Sequence, residues 1–330
     1  MSEFYRGVTG KKILLPGVSG VVGKGLGYYL AKRGNEVHGV GRFGNKPVRK
    51  WLEENGIVLH VTDVTKPGAA DALPDDIDLV YNMTVYWGYG AATAAMWRDA
   101  VQVNACFAAD LVEKYASRAT GLAFGSTGGV YLDGEDIDDL KNEDRDPPEG
   151  GVGENIYENS KLVMEEMVRH AAVRTGAKGS VLRYYWPDPA YGVRLDMATM
   201  PIFSALKGHP LRAGTGWRHV SYISELVRWT INAAGPGAAA CPPPVINVGH
   251  PEVVTFERAC ELAEKVTGKK PNVAHDGYLF AEFNYLGDFA KQEKLLGKPN
   301  LPIEEIYRRL ARGIEEDCKF PEEWMFEEIW

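Results

Sequence analysis

Cysteines are few and widely scattered in this chain of 330 residues. Cys106, Cys241, Cys260 and Cys318 form no C-x-x-C pair, and the seven histidines show no H-x-x-x-H spacing. A small fold held together by disulfides is excluded at this length, so free thiols are the expected state. A structural or catalytic zinc site has no support from these spacings either. We therefore predict a protein without a metal.

The sequence also lacks a long apolar run and a surplus of positive charge. No stretch reaches the ~20 apolar residues that are needed to cross a bilayer, and the opening MSEFYRGVTG has no apolar signal region. There are 37 Lys and Arg residues against 45 Asp and Glu residues, which gives a net charge of -8 and disfavours binding to a phosphate backbone. These absences predict a cytoplasmic protein with neither a nucleic acid nor a membrane as partner.

Short apolar runs alternate with helix-like segments in the first half of the chain. Strands are predicted over 12–17, 36–41, 57–63, 77–83, 121–126 and 180–186, and helices over 20–33, 46–55, 93–117 and 155–175. This alternation is typical of βαβ units and predicts an α/β fold, a doubly wound parallel sheet of the Rossmann type. The segment 133–151 is acidic and rich in proline and glycine, which predicts a surface loop.

The second half is less regular. Prolines interrupt shorter elements after residue 187, and helices are predicted over 224–234, 255–267 and 302–316. We expect two parts: a Rossmann domain over 1–187, and a smaller C-terminal α/β substrate lobe over 188–330 that is interleaved with it.

A glycine-rich run, GVSGVVG, stands between the first predicted strand and the first predicted helix. Glycine at these positions permits a tight turn and lets backbone N–H groups approach a pyrophosphate. The spacing alone is weak evidence, since three glycines can also pack a turn without a ligand, but its position predicts dinucleotide binding. The residues expected to hold the cofactor phosphates are Gly17, Ser19, Gly20, Val21, Val22 and Gly23.

The end of the second predicted strand indicates which dinucleotide is bound. A cofactor without a 2′-phosphate needs an acidic residue on its ribose, but the sequence there reads HGVGR and ends in Arg42. Arg42 can instead bind a 2′-phosphate, with Lys46 or Arg49 adding charge, so we predict NADP rather than NAD. Asp63 and Val64 follow the third strand, where they can meet the adenine.

Tyr157 and Lys161 stand four residues apart at the start of a predicted helix. That spacing puts the phenol and the ammonium on one face, where the cation favours the phenolate and lowers the pKa of the tyrosine. Upstream, Ser126 and Thr127 bring hydroxyls to the carboxyl end of a strand, the edge at which doubly wound folds bind ligands. Tyr28 also has a lysine four residues later, but it lacks this context.

With these features the chain resembles the extended short-chain dehydrogenase/reductases, also called the NAD-dependent epimerase/dehydratase family, over nearly its whole length. Further matching positions are Asn104, Val130-Tyr131, Glu143-Asp144, Leu182-Arg183, Gly214 to Arg218, Ile246 to Gly249, and Asp288 with Lys291. The resemblance implies that Thr127, Tyr157 and Lys161 form the catalytic triad, and that Lys161 also holds the nicotinamide ribose. It also implies a homodimer formed through the helices at 93–117 and 155–175. Other expected cofactor contacts are Met83, Thr84, Ser126 and Pro187.

Three departures from the family pattern concern the substrate. Gly128 and Gly129 stand where sugar-nucleotide dehydratases carry Asp-Glu, which disfavours dehydration. Trp186 replaces an asparagine that is usual in sugar-nucleotide epimerases. Residues 278–282 lack the family's second diphosphate-binding arginine, so Arg218 alone remains of that clamp. Aromatic residues at the strand ends suit an apolar pocket. The residues expected to contact the substrate are Tyr86, Trp87, Gly128, Trp186, Tyr191 and Arg218.

These observations leave three functions open. The favoured one is an NADP-dependent oxidoreductase that transfers hydride between NADP(H) and the carbonyl or alcohol of a small, non-nucleotide, apolar or aromatic substrate. Tyr157 would exchange the proton and Thr127 would hydrogen-bond the reacting oxygen. The alternative is a nucleotide-sugar 4-epimerase with tightly bound NAD or NADP. A third hypothesis is a dinucleotide-sensing regulatory protein without turnover, against which the complete triad argues.

Overall fold

The computed structural model describes residues 3–88, 93–131, 136–144, 146, 156–192, 198–279, 284 and 286–329. The strands are β1 (Lys12–Pro16), β2 (Glu36–Gly41), β3 (Val58–Val61), β4 (Leu79–Asn82), β5 (Gly121–Thr127), β6 (Gly179–Tyr184), β7 (Pro187–Asp188), β8 (Leu211–Arg212), β9 (Arg218–His219), β10 (Ser221–Tyr222), β11 (Val245–Val248), β12 (Val253–Val254) and β13 (Tyr278–Leu279). The helices are α1 (Glu3–Gly7), α2 (Val21–Lys32), α3 (Lys46–Glu54), α4 (Ala94–Val101), α5 (Phe107–Tyr115), α6 (Ile156–Thr175), α7 (Thr199–Lys207), α8 (Ile223–Ala233), α9 (Phe256–Thr267), α10 (Ala290–Leu295) and α11 (Ile303–Glu315). Gln102–Cys106 is a π-helical turn, and Gly128–Val130 and Glu323–Ile329 are 3₁₀ helices.

Seven strands form one parallel sheet in the order β11-β6-β5-β4-β1-β2-β3. The chain runs outward from β1 to β3, returns to β4 on the other side of β1, and continues outward from there. This reversal opens a crevice at the carboxyl ends of β1 and β4, where doubly wound folds bind ligands. The structure confirms the predicted doubly wound fold.

Helices cover both faces of the sheet. Side chains alternate across a strand, so Ile13 and Leu15 of β1 lie in the apolar core on one face, whereas Leu14 lies in the core on the other. All three are fully buried, as expected for a parallel sheet that is covered on both sides. The second face holds α5 and α6, which pack against each other. This packing sets the first turn of α6 beside the carboxyl ends of β4 and β5.

The predicted elements are present with small shifts at their ends. The strand expected over 180–186 is Gly179–Tyr184, and the helix expected over 93–117 consists of α4, the π-helical turn and α5. The strand β11 was not predicted, although it pairs with β6 at the edge of the main sheet. Three consecutive prolines, at 242–244, precede it and indicate a loop. The boundary at residue 187 stays a prediction.

The C-terminal part adds three small two-stranded sheets, β7 with β10, β9 with β12, and β8 with β13. Helix α9 packs against both α7 and α11, and α8 packs on α2 of the first half. All four cysteines are free thiols, as predicted. No helix in the described part of the chain is long and apolar enough to cross a membrane.

Candidate active site

The glycine-rich run lies between β1 and α2, as predicted. Gly17 has a φ of +80, and a Cβ atom there would overlap the carbonyl of Met83, so only glycine fits. A Cβ atom on Gly23 would overlap the carbonyl of Gly17 in the same way. Gly20 precedes α2, whose first turn has no side-chain cap and no acidic residue. The N–H groups of this turn are therefore available to an anion, which fits the pyrophosphate of a dinucleotide.

The first turn of α2 is supported by a tyrosine from the second half of the chain. Ser19 is exposed at the tip, and Val21 and Val22 are half-buried. The hydroxyl of Tyr191, which is 1% exposed, donates a hydrogen bond of 2.6 Å to Val21 O. Tyr191 therefore lies behind the phosphate turn. The substrate contact expected for Tyr191 stays a prediction, and local sequence gives no sign of this hydrogen bond across 170 residues.

Arg42 is exposed at the end of β2, where a 2′-phosphate could reach it. Hydrogen bonds from Thr65 and, more weakly, the positive charge of Arg42 lower the pKa of the half-buried Asp63 carboxyl. Lys46 is exposed at the start of α3, whereas Arg49 is paired with a glutamate of that helix at 3.0 Å. The cations that fit a 2′-phosphate are thus Arg42 and Lys46, while Arg49 already has a partner.

Three other predicted cofactor residues also lie at strand ends. Met83 N donates a hydrogen bond of 2.9 Å to Pro16 O, which joins the ends of β4 and β1. Thr84 is buried, and its Oγ1 donates to Asn82 Oδ1 at 2.8 Å. Val64 is half-buried after β3. All three are at the carboxyl edge of the sheet, as predicted.

Lys161 is buried and ties α6 to the ends of two strands. Its Nζ donates hydrogen bonds of 2.9 Å to Thr84 O and 2.7 Å to Gly125 O. Burial lowers the pKa of this ammonium to about 7, although the negative charge of Glu165 raises it. Ser126 Oγ donates to the same Glu165 at 2.6 Å. Lys161 is therefore held at the crevice with a pKa well below that of an exposed lysine.

Tyr157 lies one helical turn before Lys161 and is 8% exposed. The indole of Trp87 stacks on its ring, with the ring centroids 4.2 Å apart and 22° between the planes. Trp87 itself is 57% exposed, so it shields the tyrosine from solvent. Thr127 Oγ1 accepts a hydrogen bond of 3.1 Å from Gly129 N where β5 ends. The structure thus brings Tyr157, Lys161 and Thr127 to the carboxyl ends of β4 and β5.

Asn104 links the segment that carries Trp87 to α6. It lies in the π-helical turn, a feature often found at functional sites. Its Oδ1 accepts a hydrogen bond of 2.8 Å from Tyr86 N, and its Nδ2 donates one of 2.8 Å to Ser160 Oγ. Ser160 Oγ in turn donates to Tyr157 O at 2.9 Å. The side chain of Tyr86 is half-buried.

A buried polar network lies behind the triad and joins side chains from five segments of the chain. Arg183 donates to both carboxylate oxygens of Glu165, at 2.9 and 2.6 Å, and its Nη1 donates to the hydroxyl of Tyr131 at 2.5 Å. Asn247 N donates to Glu143 Oε1 at 2.5 Å, and Asn247 Oδ1 accepts from Tyr131 at 3.4 Å. The network fixes Glu165 and so the helix α6. It also anchors the described part of the predicted surface loop, residues 136–144 and 146.

Side chains from other elements fill the space beside the two glycines that follow Thr127. A Cβ atom on Gly128 would overlap the ring of Tyr185, which is itself buried against Phe289. A Cβ atom on Gly129 would lie 2.9 Å from Glu158 Oε1. Gly128 therefore makes room for Tyr185, and the substrate contact expected for it stays a prediction. Sequence reasoning missed Glu158, for which the one available signal is its position next to Tyr157.

Trp186 and Arg218 contact each other at the end of β6. Trp186 has a φ of +40, and the Arg218 guanidinium lies 4.5 Å from the centroid of its ring. Arg218 is 1% exposed, so it is a desolvated cation on an aromatic face. Pro187 begins β7 and pairs with Ser221 of β10. Of the segment that replaces the second family arginine, 278 and 279 form β13, and 280–283 lie outside the described residues.

The profile of the NAD dependent epimerase/dehydratase family matches residues 13–249. Among curated proteins, none matches this chain. A solved structure of UDP-glucuronic acid 4-epimerase from Bacillus cereus with NAD shares 21% identity and a TM-score of 0.75, covering 95% of this chain and 99% of its own. MoeE5 in complex with UDP-glucuronic acid and NAD is 20% identical to this chain with a TM-score of 0.73, and the match covers 93% of this chain and 100% of MoeE5. UDP-glucose 4-epimerase from Thermotoga maritima with UDP-glucose is 20% identical to this chain with a TM-score of 0.72, and the match covers 92% of this chain and 99% of that epimerase.

At these identities the solved structures show a common fold along nearly the whole length of both chains. The family match is more specific, because it spans β1 to β11 and includes the glycine turn, the Tyr157 and Lys161 helix and the buried network. The chain therefore belongs to the NAD-dependent epimerase/dehydratase family, as a nicotinamide-dependent enzyme of the extended short-chain dehydrogenase/reductase type.

Proposed function

We propose that the chain is a nucleotide-sugar 4-epimerase that uses a bound nicotinamide dinucleotide. The observation that carries this proposal is the buried guanidinium of Arg218, stacked on Trp186 at the end of β6. A desolvated arginine suits a diphosphate group, which it can bind with two hydrogen bonds. The similar structures that contain UDP-sugars support the same substrate class. We therefore rank the epimerase above the dehydrogenase that the sequence alone favours.

The residues of the chain divide the work as follows. The turn formed by Gly17, Gly20 and Gly23 would hold the pyrophosphate, and Lys161 would hold the nicotinamide ribose. The nicotinamide supplies an acceptor and donor of hydride. Tyr157 takes the proton from the 4-hydroxyl of the sugar as that carbon is oxidised, and Thr127 hydrogen-bonds the reacting oxygen. Once Tyr157 had returned the proton to the same oxygen, the sugar would leave with the configuration of that carbon inverted and without net oxidation.

We also propose that the cofactor is NADP. Arg42 is exposed at the end of β2, at the position where an acidic residue would bind the ribose hydroxyl of NAD. The similar structures from Bacillus cereus and of MoeE5 contain NAD. A direct comparison of the two cofactors therefore tests what Arg42 does in this chain.

A second candidate function is net oxidoreduction of an apolar or aromatic alcohol or ketone. The stacked Trp87 favours it, because an exposed indole over Tyr157 gives the reacting end of the site an aromatic wall. A small substrate of this kind would not need Arg218.

We further propose a homodimer that pairs α4, α5 and α6 with their copies. Val163 and Val173 of α6 are exposed apolar side chains, and an isologous two-fold contact is the commonest way to cover such a face. The molecular mass in solution at micromolar concentration tests this, and a monomeric mass would contradict it.

Calorimetric titration of the cofactor-loaded protein with UDP-glucose tests the substrate class. We expect binding that Arg218→Ala weakens roughly tenfold to a hundredfold, since a hydrogen bond to a charged group contributes about 1.5 to 3 kcal/mol. Arg212→Ala is the matched control, because Arg212 is an exposed arginine of the same part of the chain. Absence of binding, or binding that Arg218→Ala leaves unchanged, would promote the dehydrogenase.

A further inference from the structure

Glu158 directly follows Tyr157, and the roles assigned above do not use it. It lies in the first turn of α6, and its carboxyl group rests against Gly129 in the turn that follows Thr127. Its Oε2 atom is buried and has no hydrogen-bond partner among the residues that the structure describes. A carboxyl group with one buried oxygen that has no partner among the described residues thus lies between the two elements that carry the proton-exchanging tyrosine and the oxygen-binding threonine.

Two carboxylates that are more deeply buried than Glu158, those of Glu165 and Glu225, have partners. Glu165 receives two hydrogen bonds from Arg183 and one from Ser126. Glu225 is paired with Arg228 and also accepts hydrogen bonds from two backbone N–H groups. Because buried polar atoms are normally hydrogen-bonded, the buried Oε2 of Glu158 is unfavourable for folding alone. Burial accordingly raises the pKa of Glu158.

The carboxyl group of Glu158 lies where a side chain at residue 129 would begin. A Cβ atom there would lie 2.9 Å from Oε1 and 3.1 Å from Cγ of Glu158. Gly129 N also donates the hydrogen bond that Thr127 Oγ1 accepts. The glycine therefore lets a carboxyl group approach the triad, and a ligand bound there could provide the missing donors.

We propose that Glu158 is a substrate-binding residue whose carboxylate accepts hydrogen bonds from hydroxyl groups next to the reacting carbon. This proposal rests on the proposed function in one respect, because both take the reacting carbon to be the one that faces Tyr157. The preferred substrate class is then a neutral sugar. A substrate with its own carboxylate at this end is repelled, because two like charges would meet without a counter-ion.

The first arm of the test is stability and needs no substrate. Glu158→Gln keeps the shape and removes the charge, so we expect the variant to melt about 2 °C above the wild type at neutral pH. Glu166→Gln, an exposed position of the same helix, is the control and should not raise the melting temperature. A Glu158→Gln variant that melts at or below the wild-type temperature would overturn the inference, because it would show that the charge has a partner.

The second arm compares kcat/KM for UDP-glucose with UDP-glucuronic acid, and for free glucose with free glucuronic acid. In whichever of these two pairs is turned over, we expect the wild-type kcat/KM to be at least tenfold higher for the neutral sugar than for the acid. Glu158→Gln should reduce that ratio at least fivefold. A preference that Glu158→Gln leaves unchanged would overturn the inference. Wild-type turnover of none of the four compounds would instead contradict the proposed function, while the stability arm would still decide whether Glu158 is unpaired.

Discussion

Backbone atoms limit the space on the cofactor side of the crevice, whereas side chains limit it on the substrate side. On the cofactor side, the carbonyl of Met83 limits the space beside Gly17, and the carbonyl of Gly17 limits the space beside Gly23. On the substrate side, side chains from distant segments fill the space instead, as Tyr185 does beside Gly128. The first arrangement can accept few changes, whereas the second can change its ligand by exchanging side chains.

This difference indicates which part of such a fold can determine its specificity for a ligand. A backbone cradle binds the part of the ligand that is common to all dinucleotides, since N–H groups and a helix N-terminus recognise only a phosphate. In the proposed function, charged and aromatic side chains such as Glu158, Trp87 and Arg218 would distinguish one substrate from another. Four measurements test this contrast, and they follow in order of decreasing effect.

The largest effect is expected for Tyr157→Phe. Removing the hydroxyl takes away the proton-exchanging group but leaves the ring stacked under Trp87, so turnover should fall by about a thousandfold or more. Cofactor binding, followed by fluorescence of the reduced nicotinamide, should change little. Tyr28→Phe is the control, because Tyr28 also has a lysine four residues later but lies against Trp51, away from the crevice. Activity that survives Tyr157→Phe would move the chemistry to another group.

Next in size is Gly17→Ala on the cofactor side. The positive φ and the overlap with the Met83 carbonyl should lower the free energy of unfolding by about 3 kcal/mol and abolish cofactor binding. Gly129→Ala on the substrate side should lower it by less than about 1 kcal/mol, because the flexible end of Glu158 can move aside. Urea unfolding measures the free energy of unfolding of both variants. Equal losses of this free energy would contradict the difference between the two sides.

Arg42→Ala should have a smaller and selective effect. Loss of the guanidinium should weaken NADP binding roughly tenfold to a hundredfold and leave NAD binding almost unchanged. Equilibrium titration with each cofactor gives both constants. A wild type that prefers NAD, or a variant that loses both cofactors equally, would show that Arg42 does not read the 2′-phosphate.

The smallest effect concerns Lys161 and pH. Its pKa is lowered from 10.5 to about 7 in the folded chain, so between these two values the unfolded chain binds more protons and stability rises with pH. Relative to Lys161→Met, the wild type should gain about 1 kcal/mol for each pH unit above 7. Urea unfolding at pH 7, 8 and 9 measures the gain, and a difference that stays flat would mean that Lys161 remains charged.

The sequence allowed more prediction on the cofactor side than on the substrate side, for a physical reason. The glycine run, Arg42, and the spacing of Tyr157 and Lys161 are local patterns, and local patterns determine turns and helix faces. Tyr191 and Glu158 obtained their places from contacts that no local pattern encodes, with the first turn of α2 and with the turn after β5. The strand β11 was missed for a similar reason, since only its pairing with β6 makes it part of the sheet.

The most direct test of the proposed function is turnover of UDP-glucose by the purified, cofactor-loaded enzyme. The sugar product is followed by NMR, and the nicotinamide absorbance is recorded in the same sample. The proposed function predicts that the 4-epimer, UDP-galactose, accumulates to equilibrium with no lasting change in nicotinamide absorbance. An oxidised product that accumulates together with reduced cofactor, or UDP-glucose that remains unchanged, would contradict it.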